Sequence, residues 1–290
     1  SAYGFEEGDV VLFTLTKPSG QSAMPYPNII ENFGKTEDPQ IIGRSVAAEF
    51  GLRQGFNDKV MEELNSLDDP EWTTANRTDL TDIPFVTIDD ITTTDMDDAM
   101  YAEPIMENGE QKGWHLIVAI ADVAQYIKPG SAMDKEATFR GNTNYLPGFR
   151  CDMIPSSLAT DKCSLVPDEI RSCLAMHVYI DMQGHKTGHK LQRGIMRSRA
   201  KLHHKQVEAA MRGDIDEQIA PHMELVQNLY KAWHPLAKQS AKRGKLSIDS
   251  AEQKIEFDAE GNFIDISRRP YMDINRVIEE FMVIANESAS

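Results

Sequence analysis

Cysteine is scarce. Cys151, Cys163 and Cys173 are the three in 290 residues. An odd number without CxxC spacing excludes a disulfide framework and gives no zinc cage, so the three read as reduced, structural side chains. Long apolar runs are also missing: nothing approaches the roughly 20 residues needed to cross a bilayer. The opening SAYGFEEGDVV lacks the basic, apolar and small-residue sections of a signal peptide, and a cytoplasmic location without a membrane partner is expected. Internal repeats and low-complexity tracts are absent. Positive charge is in short supply, with 30 Lys and Arg against 46 Asp and Glu, a formal net charge of −16. Such a balance argues against nucleic-acid binding through a generally basic surface. The objection weakens if the acids gather where cations bind and the bases cluster elsewhere, so distribution matters more than the sum.

What is present, 41% hydrophobic and 26% charged residues, suffices for one large core or two smaller ones. Residues 8–16 read as a strand that ends in a Lys-Pro-Ser-Gly turn. A lone strand is unstable, so it either joins a sheet formed later in the chain or is the last strand of a domain that begins upstream, and a linker-like composition through Pro27 favours the second. From residue 28 to 67 the apolar positions Val46, Ala47 and Phe50, then Val60, Met61 and Leu64, recur at helical spacing, which predicts a helical connector. An Asp-, Thr-, Asn- and Pro-rich loop over 66–82 then leads into a new core.

In that core, 84–88, 115–121 and 174–180 read as buried strands. Helices are predicted over 201–211 and 221–242, and a hairpin over 254–266. A terminal helix carries Ile274, Val277, Ile278, Phe281, Met282 and Ala285 on one face. The mixture predicts an α+β fold, a mixed β-sheet with surrounding helices.

The densest chemical feature follows the first core strand: Asp89, Asp90, Asp95, Asp97 and Asp98 put five carboxylates within ten residues. Like charges this close raise one another's pKa and destabilise the fold, unless a divalent ion offsets them. Oxygen donors without nearby His or Cys favour a hard ion, and a site open to phosphate suits magnesium. An EF-hand does not fit, because neither the Gly of loop position six nor the Glu of position twelve is in place. A solvated acidic loop is the plainer alternative, and the position directly after a buried strand counts against it. Magnesium on carboxylates at a strand end makes phosphodiester hydrolysis the natural reaction class, with one ion or a pair.

The run Phe85-Val86-Thr87-Ile88-Asp89 followed by Thr94-Asp95-Met96-Asp97-Asp98-Ala99 closely resembles the aspartate signature of the ribonuclease II and ribonuclease R family. The resemblance continues through Leu116-Ile117-Val118-Ala119-Ile120-Ala121-Asp122, Thr143-Asn144-Tyr145-Leu146-Pro147-Gly148-Phe149, Cys163-Ser164-Leu165 and Asn275-Arg276-Val277-Ile278-Glu279-Glu280. It implies a hydrolytic 3′-to-5′ exoribonuclease that degrades single-stranded RNA processively to nucleoside 5′-monophosphates and a short end product. Magnesium would be the cofactor, with manganese able to stand in, and a monomer is expected. By the same resemblance Asp89 and Asp98 are direct metal ligands, Asp95 supports the site and Asp97 is most directly tied to cleavage; Asp90 is not a family site position. Met96 and the Asn144–Gly148 run lean towards ribonuclease II, which stalls at duplexes, rather than ribonuclease R, which unwinds them. The implied domains are the end of a cold-shock-type barrel at 1–20, the helical connector at 21–82 and the N-terminal portion of the catalytic domain at 83–290.

Tyr145 lies in a polar loop, where an exposed ring offers any base a stacking surface or else simply packs under the loop; in the family the matching tyrosine packs on the 3′-terminal nucleotide. Basic stretches at 193–205 and 238–245 are candidates for lining an RNA channel, or else solvated surface. The family's catalytic domain extends past the position of Ser290 and brings an arginine-bearing motif and an RNA-binding barrel. The chain by itself is therefore expected to hold magnesium weakly and cleave little. The competing reading is a catalytically inactive RNA-binding or regulatory protein of the same fold, which substitutions among the four aspartates would have marked.

Overall fold

A computed structural model of the chain describes residues 5–16, 25–36, 39–68, 76–146, 148–246, 253–258, 263–268 and 271–290. In chain order the elements are β1 (Asp9–Thr16), β2 (Tyr26–Lys35), α1 (Pro39–Glu49), α2 (Asp58–Asn65), β3 (Thr78–Asp79), β4 (Phe85–Asp89), β5 (Asp98–Glu107) and β6 (Glu110–Ala121). Then come α3 (Ala132–Arg140), β7 (Asn144–Leu146), β8 (Phe149–Cys151), β9 (Ile170–Asp181), β10 (Lys186–His203), α4 (His204–Met211), α5 (Met223–Lys242), β11 (Gln253–Phe257), β12 (Phe263–Arg268) and α6 (Asp273–Ala289). They divide into two units: Ser1–Leu67 with Lys128–Pro155 and Ala251–Arg269, and Asp68–Ile127 with Ser156–Ser250 and Pro270–Ser290.

The second unit is the α+β core expected from the sequence. Its six-stranded mixed sheet has the order β3-β10-β4-β5-β6-β9, and β9 also pairs with the first part of β10. Both faces of this sheet are covered. On one, Leu116, Val118, Val178 and Leu202 pack with Leu229, Val277 and Phe281 of α5 and α6. On the other, Phe85, Ile117, Ala119 and Ala175 meet Met96 and Leu165 from loops. Because successive side chains point to opposite faces, a strand buried on both sides reads as the unbroken apolar run seen at 116–119. Among the described residues, no helix is long and apolar enough to cross a membrane.

Three strands of this unit escape a sequence reading, one of them the two-residue β3 inside the loop expected at 66–82. β5 starts inside the aspartate cluster and carries a proline, and the apolar positions of β10 are interleaved with Lys, Arg and Gly. The helix expected from residue 201 begins at His204 instead. Lys201, Leu202 and His203 pair in parallel with Thr87, Ile88 and Asp89, so the sheet claims them. His203 then caps α4, its ring accepting from the Gln206 N–H while the Gln206 side chain accepts from the His203 N–H.

In the first unit, the helical reading of residues 28–35 is corrected. This segment belongs to β2, which pairs antiparallel with β1 from Asp9↔Lys35 to Thr16↔Tyr26. An edge strand leaves a row of unpaired N–H and C=O groups, and β2 satisfies those along one side of β1. Helices α1 and α2 follow where Val46, Ala47 and Val60 predict them. The terminal hairpin forms as β11 and β12. The turns expected at 17–20 and 259–262, and residues 69–75 of the loop expected at 66–82, lie outside the described residues.

Gly113 marks a close approach between β6 and β9, for a Cβ at this position would collide with the Ile180 carbonyl oxygen. Backbone rather than a flexible side chain receives the clash, so relief requires the strands to part. Gly113→Ala is therefore expected to lower the unfolding free energy by about 1 to 3 kcal/mol, measurable as a lower midpoint in urea denaturation; an unchanged midpoint contradicts the packing described.

Candidate active site

The sheet brings the aspartates to one place by strand polarity. β4 and β5 run antiparallel with Val86 opposite Met100, so the end of β4 at Asp89 and the start of β5 at Asp98 lie at the same edge. Asp95 and Asp97 sit in the connection between these strands. β10 flanks β4 on its other side, with Lys201 beside Thr87 and His203 beside Asp89.

The connection is held throughout its length. The Asp90 carboxylate accepts from the N–H (3.1 Å) and hydroxyl (2.8 Å) of Thr92, closing a local turn that spends this side chain on its own loop. Lys201 Nζ donates to the Thr93 carbonyl. Buried Ser164 accepts from the Met96 N–H at 3.0 Å and donates to the Thr94 carbonyl at 3.2 Å, bracketing Asp95. Leu165 N–H donates to the Met96 carbonyl at 2.8 Å, and Ala121 N–H to that of Asp97 at 2.9 Å. Lys201 and Ser164 are the positioning residues that sequence reasoning did not single out. Lys201 was lost in a basic stretch, while Ser164 was quoted within a family match without a role.

The carboxylates sit in an unfavourable field. Loss of water, then Asp98 and Asp97, push Asp89 up to about 7 against the opposing charge of Lys201. Asp98 is raised to about 6, by burial first and Asp97 second. Asp97, open to solvent on one side, is raised by partial desolvation and by Asp95. One oxygen of Asp89 and one of Asp98, Oδ2 in each, are buried without a hydrogen-bond partner among the described residues. Orphaned carboxylate oxygens are costly and call for a cation or a proton.

Among the described residues, no three His, Cys, Asp or Glu side chains converge as a ready metal cage. Two carboxylates with spare oxygens suit magnesium, which binds through one or two carboxylates and fills its remaining positions with water and phosphate oxygens. Tyr145 belongs to the other unit and stands on β7 rather than in a loop. The residue is 69% exposed, opposite Arg150 of β8, whose guanidinium lies 6.0 Å from the ring centroid.

Residues 77–290 match the RNB domain, carboxylate edge included. The chain belongs to the RNB family. Ribonuclease R of Escherichia coli (strain K12) is 34% identical over 99% of this RNB chain and 35% of its own length. Exoribonuclease 2 of Glaesserella parasuis is 37% identical over 74% of the chain and 33% of its own. Mycoplasma genitalium RNase R, solved in complex with double-stranded RNA, superposes with a TM-score of 0.89 at 26% identity, over 98% of this chain and 50% of that one. Its complex with ribose methylated single-stranded RNA gives 0.88 at 26%, over 98% and 44%. The RNB chain thus spans about a third of the length of these curated relatives.

A carboxyl whose pKa is raised by folding stabilises the fold while protonated. That contribution is complete below the unfolded value of 3.8 and is lost as pH rises through about 6 for Asp98 and about 7 for Asp89. In EDTA, the melting temperature of the RNB chain is expected to fall across this window. Asp89→Asn flattens the fall and magnesium above pH 7 reverses it. Melts that ignore both the substitution and the ion contradict the electrostatics described.

Proposed function

We propose that this RNB chain carries the catalytic carboxylates of a magnesium-dependent 3′-to-5′ exoribonuclease that degrades single-stranded RNA processively to nucleoside 5′-monophosphates and a short end product. The observation that carries the reading is the pair of buried, partnerless oxygens on Asp89 and Asp98, at the strand ends of a domain whose family is shown. The names of the relatives, ribonuclease R and exoribonuclease 2, support the reaction class, and the RNA complexes of the M. genitalium protein support the substrate class.

Asp89 and Asp98 would hold the ion. Asp95, bracketed by Ser164, supports the site from the loop. Asp97 stands at the reacting phosphate, where a carboxylate of raised pKa at an open edge is suited to take a proton from the attacking water. A bound magnesium ion supplies a water of lowered pKa and positive charge for the phosphate oxygens. Tyr145 stacks on a base near the 3′ end, a contact indifferent to sequence.

The domain boundaries at residues 20 and 82 are part of the proposal, although β2, which lies beyond the first and precedes the helices of the connector, pairs with β1 along its length. The start of the RNB match at residue 77 supports the second boundary.

The deciding assay follows a 5′-labelled single-stranded RNA in a protein that joins this chain to the remainder of the catalytic domain, with magnesium, with EDTA and with Asp97→Asn. Stepwise shortening from the 3′ end is expected, abolished by EDTA and slowed at least about a hundredfold by the substitution. Tight binding without shortening in any metal leaves the inactive RNA-binding reading in its place. In the same assay Tyr145→Ala is expected to weaken RNA binding by about 1 to 3 kcal/mol and lengthen the end product; an unchanged affinity and product length remove Tyr145 from the site.

A further inference from the structure

The first unit contains a cleft of about 150 Å³ lined by Gly51, Leu52, Arg53, Phe139, Arg140, Asn142, Asn144 and Cys151. It opens between the segment after α1, the end of α3 and the β7–β8 hairpin. Two arginines occupy it differently. Arg140 is the structural clasp: its side chain is 6% exposed, bonded to Glu136 at 3.0 Å and donating to the carbonyls of Arg53, Gly55 and Asp152, with its guanidinium 4.0 Å from the Phe56 centroid.

Arg53 is engaged only in part. One nitrogen, Nη1, reaches Glu136 at 2.5 Å, while Nε and Nη2 have no acceptor among the described residues. Its guanidinium lies 3.6 Å from the ring centroid of Phe139, a residue that is 64% exposed. The exposed part of that ring is open to a further planar group. Asn142 and Asn144 are joined by one long bond of 3.5 Å, leaving an Nδ2 donor on Asn142 and the Oδ1 acceptor on Asn144. Two guanidinium charges against the one carboxylate of Glu136 leave the cleft positive by one.

A free guanidinium edge, an exposed cation–aromatic stack and two amides with spare capacity match the parts of a nucleotide: phosphate, base face and base edge. We propose that this cleft binds a single nucleotide unit, with the phosphate at Arg53, the base against the Arg53–Phe139 stack and its edge at Asn142 and Asn144. The unit comes from an RNA strand or from a free nucleoside 5′-monophosphate. The proposal rests on the RNA reading above for these two sources, but its residues are separate from Asp89, Asp95, Asp97, Asp98 and Tyr145.

The test titrates the chain by calorimetry with a short single-stranded RNA and, separately, with adenosine 5′-monophosphate, for the unaltered chain, Arg53→Gln, Phe139→Ala and Phe139→Trp. Weakening of at least about fivefold by the first two substitutions, with affinity retained in Phe139→Trp, supports the site. Weakening confined to the RNA identifies the strand as the source, and weakening of both shows that the mononucleotide suffices. No binding of either ligand, or affinities unmoved by Arg53→Gln and Phe139→Ala, overturns the proposal. Far-ultraviolet dichroism of each variant confirms the fold, and Arg53→Gln removes no buried ring. The nuclease assay keeps the two readings apart: RNA shortening with unmoved affinities sinks the cleft alone, and nucleotide binding without shortening sinks the exoribonuclease alone.

Discussion

The constraint on which the rest of this structure depends is the confinement of like charges at the edge of β4 and β5. Asp89 and Asp98 have each lost water and each retain a buried oxygen with nothing to satisfy it. A domain optimised for stability alone would place amides or apolar side chains here. The arrangement persists because the surroundings over-determine it: the carboxylates end rigid strands whose opposite faces are both buried. Sites built on strands hold their geometry more closely than sites built on loops.

Where a loop is unavoidable, the fold ties it down. The segment from Asp90 to Asp97 has backbone contacts to β6, to β10 and to the Ser164–Leu165 segment, so three separate stretches of chain converge on eight residues. Ser164 has the strictest role. Its single hydroxyl serves both neighbours of Asp95, accepting from one backbone group and donating to the other, which no apolar side chain of similar size reproduces. Lys201 adds a cation whose charge opposes the carboxylates without neutralising them.

Much of this was legible in the sequence, for identifiable reasons. β4, β6 and β9 announce themselves as short apolar runs because they are buried on both faces, and α6 because one face alone is apolar. The aspartates were legible since five carboxylates in ten residues need a cause. The pairing of β1 was not, because its partner β2 has exposed and buried positions without clean alternation and lies beside a helical pattern. β10 was hidden because Arg197, Arg199 and Lys201 resemble solvated surface until the carbonyls they serve, or the burial of Arg197 Nε, become visible. Hydrogen bonds to backbone carbonyls leave no trace in residue type at the accepting end. Lys201 therefore emerged only from the three-dimensional arrangement.

The parallel pairing of β10 with β3 and β4 has a bearing on how this protein comes into being. Thr78 finds its partner at Gly194, and Asp89 finds its own at His203, more than a hundred residues later. During synthesis every aspartate of the cluster leaves the ribosome well before the strand that flanks it and the lysine that pins its loop. Contacts so distant in sequence form late, after loop closure has been overcome. The acidic edge of a nascent chain is consequently unassembled until β10 has docked.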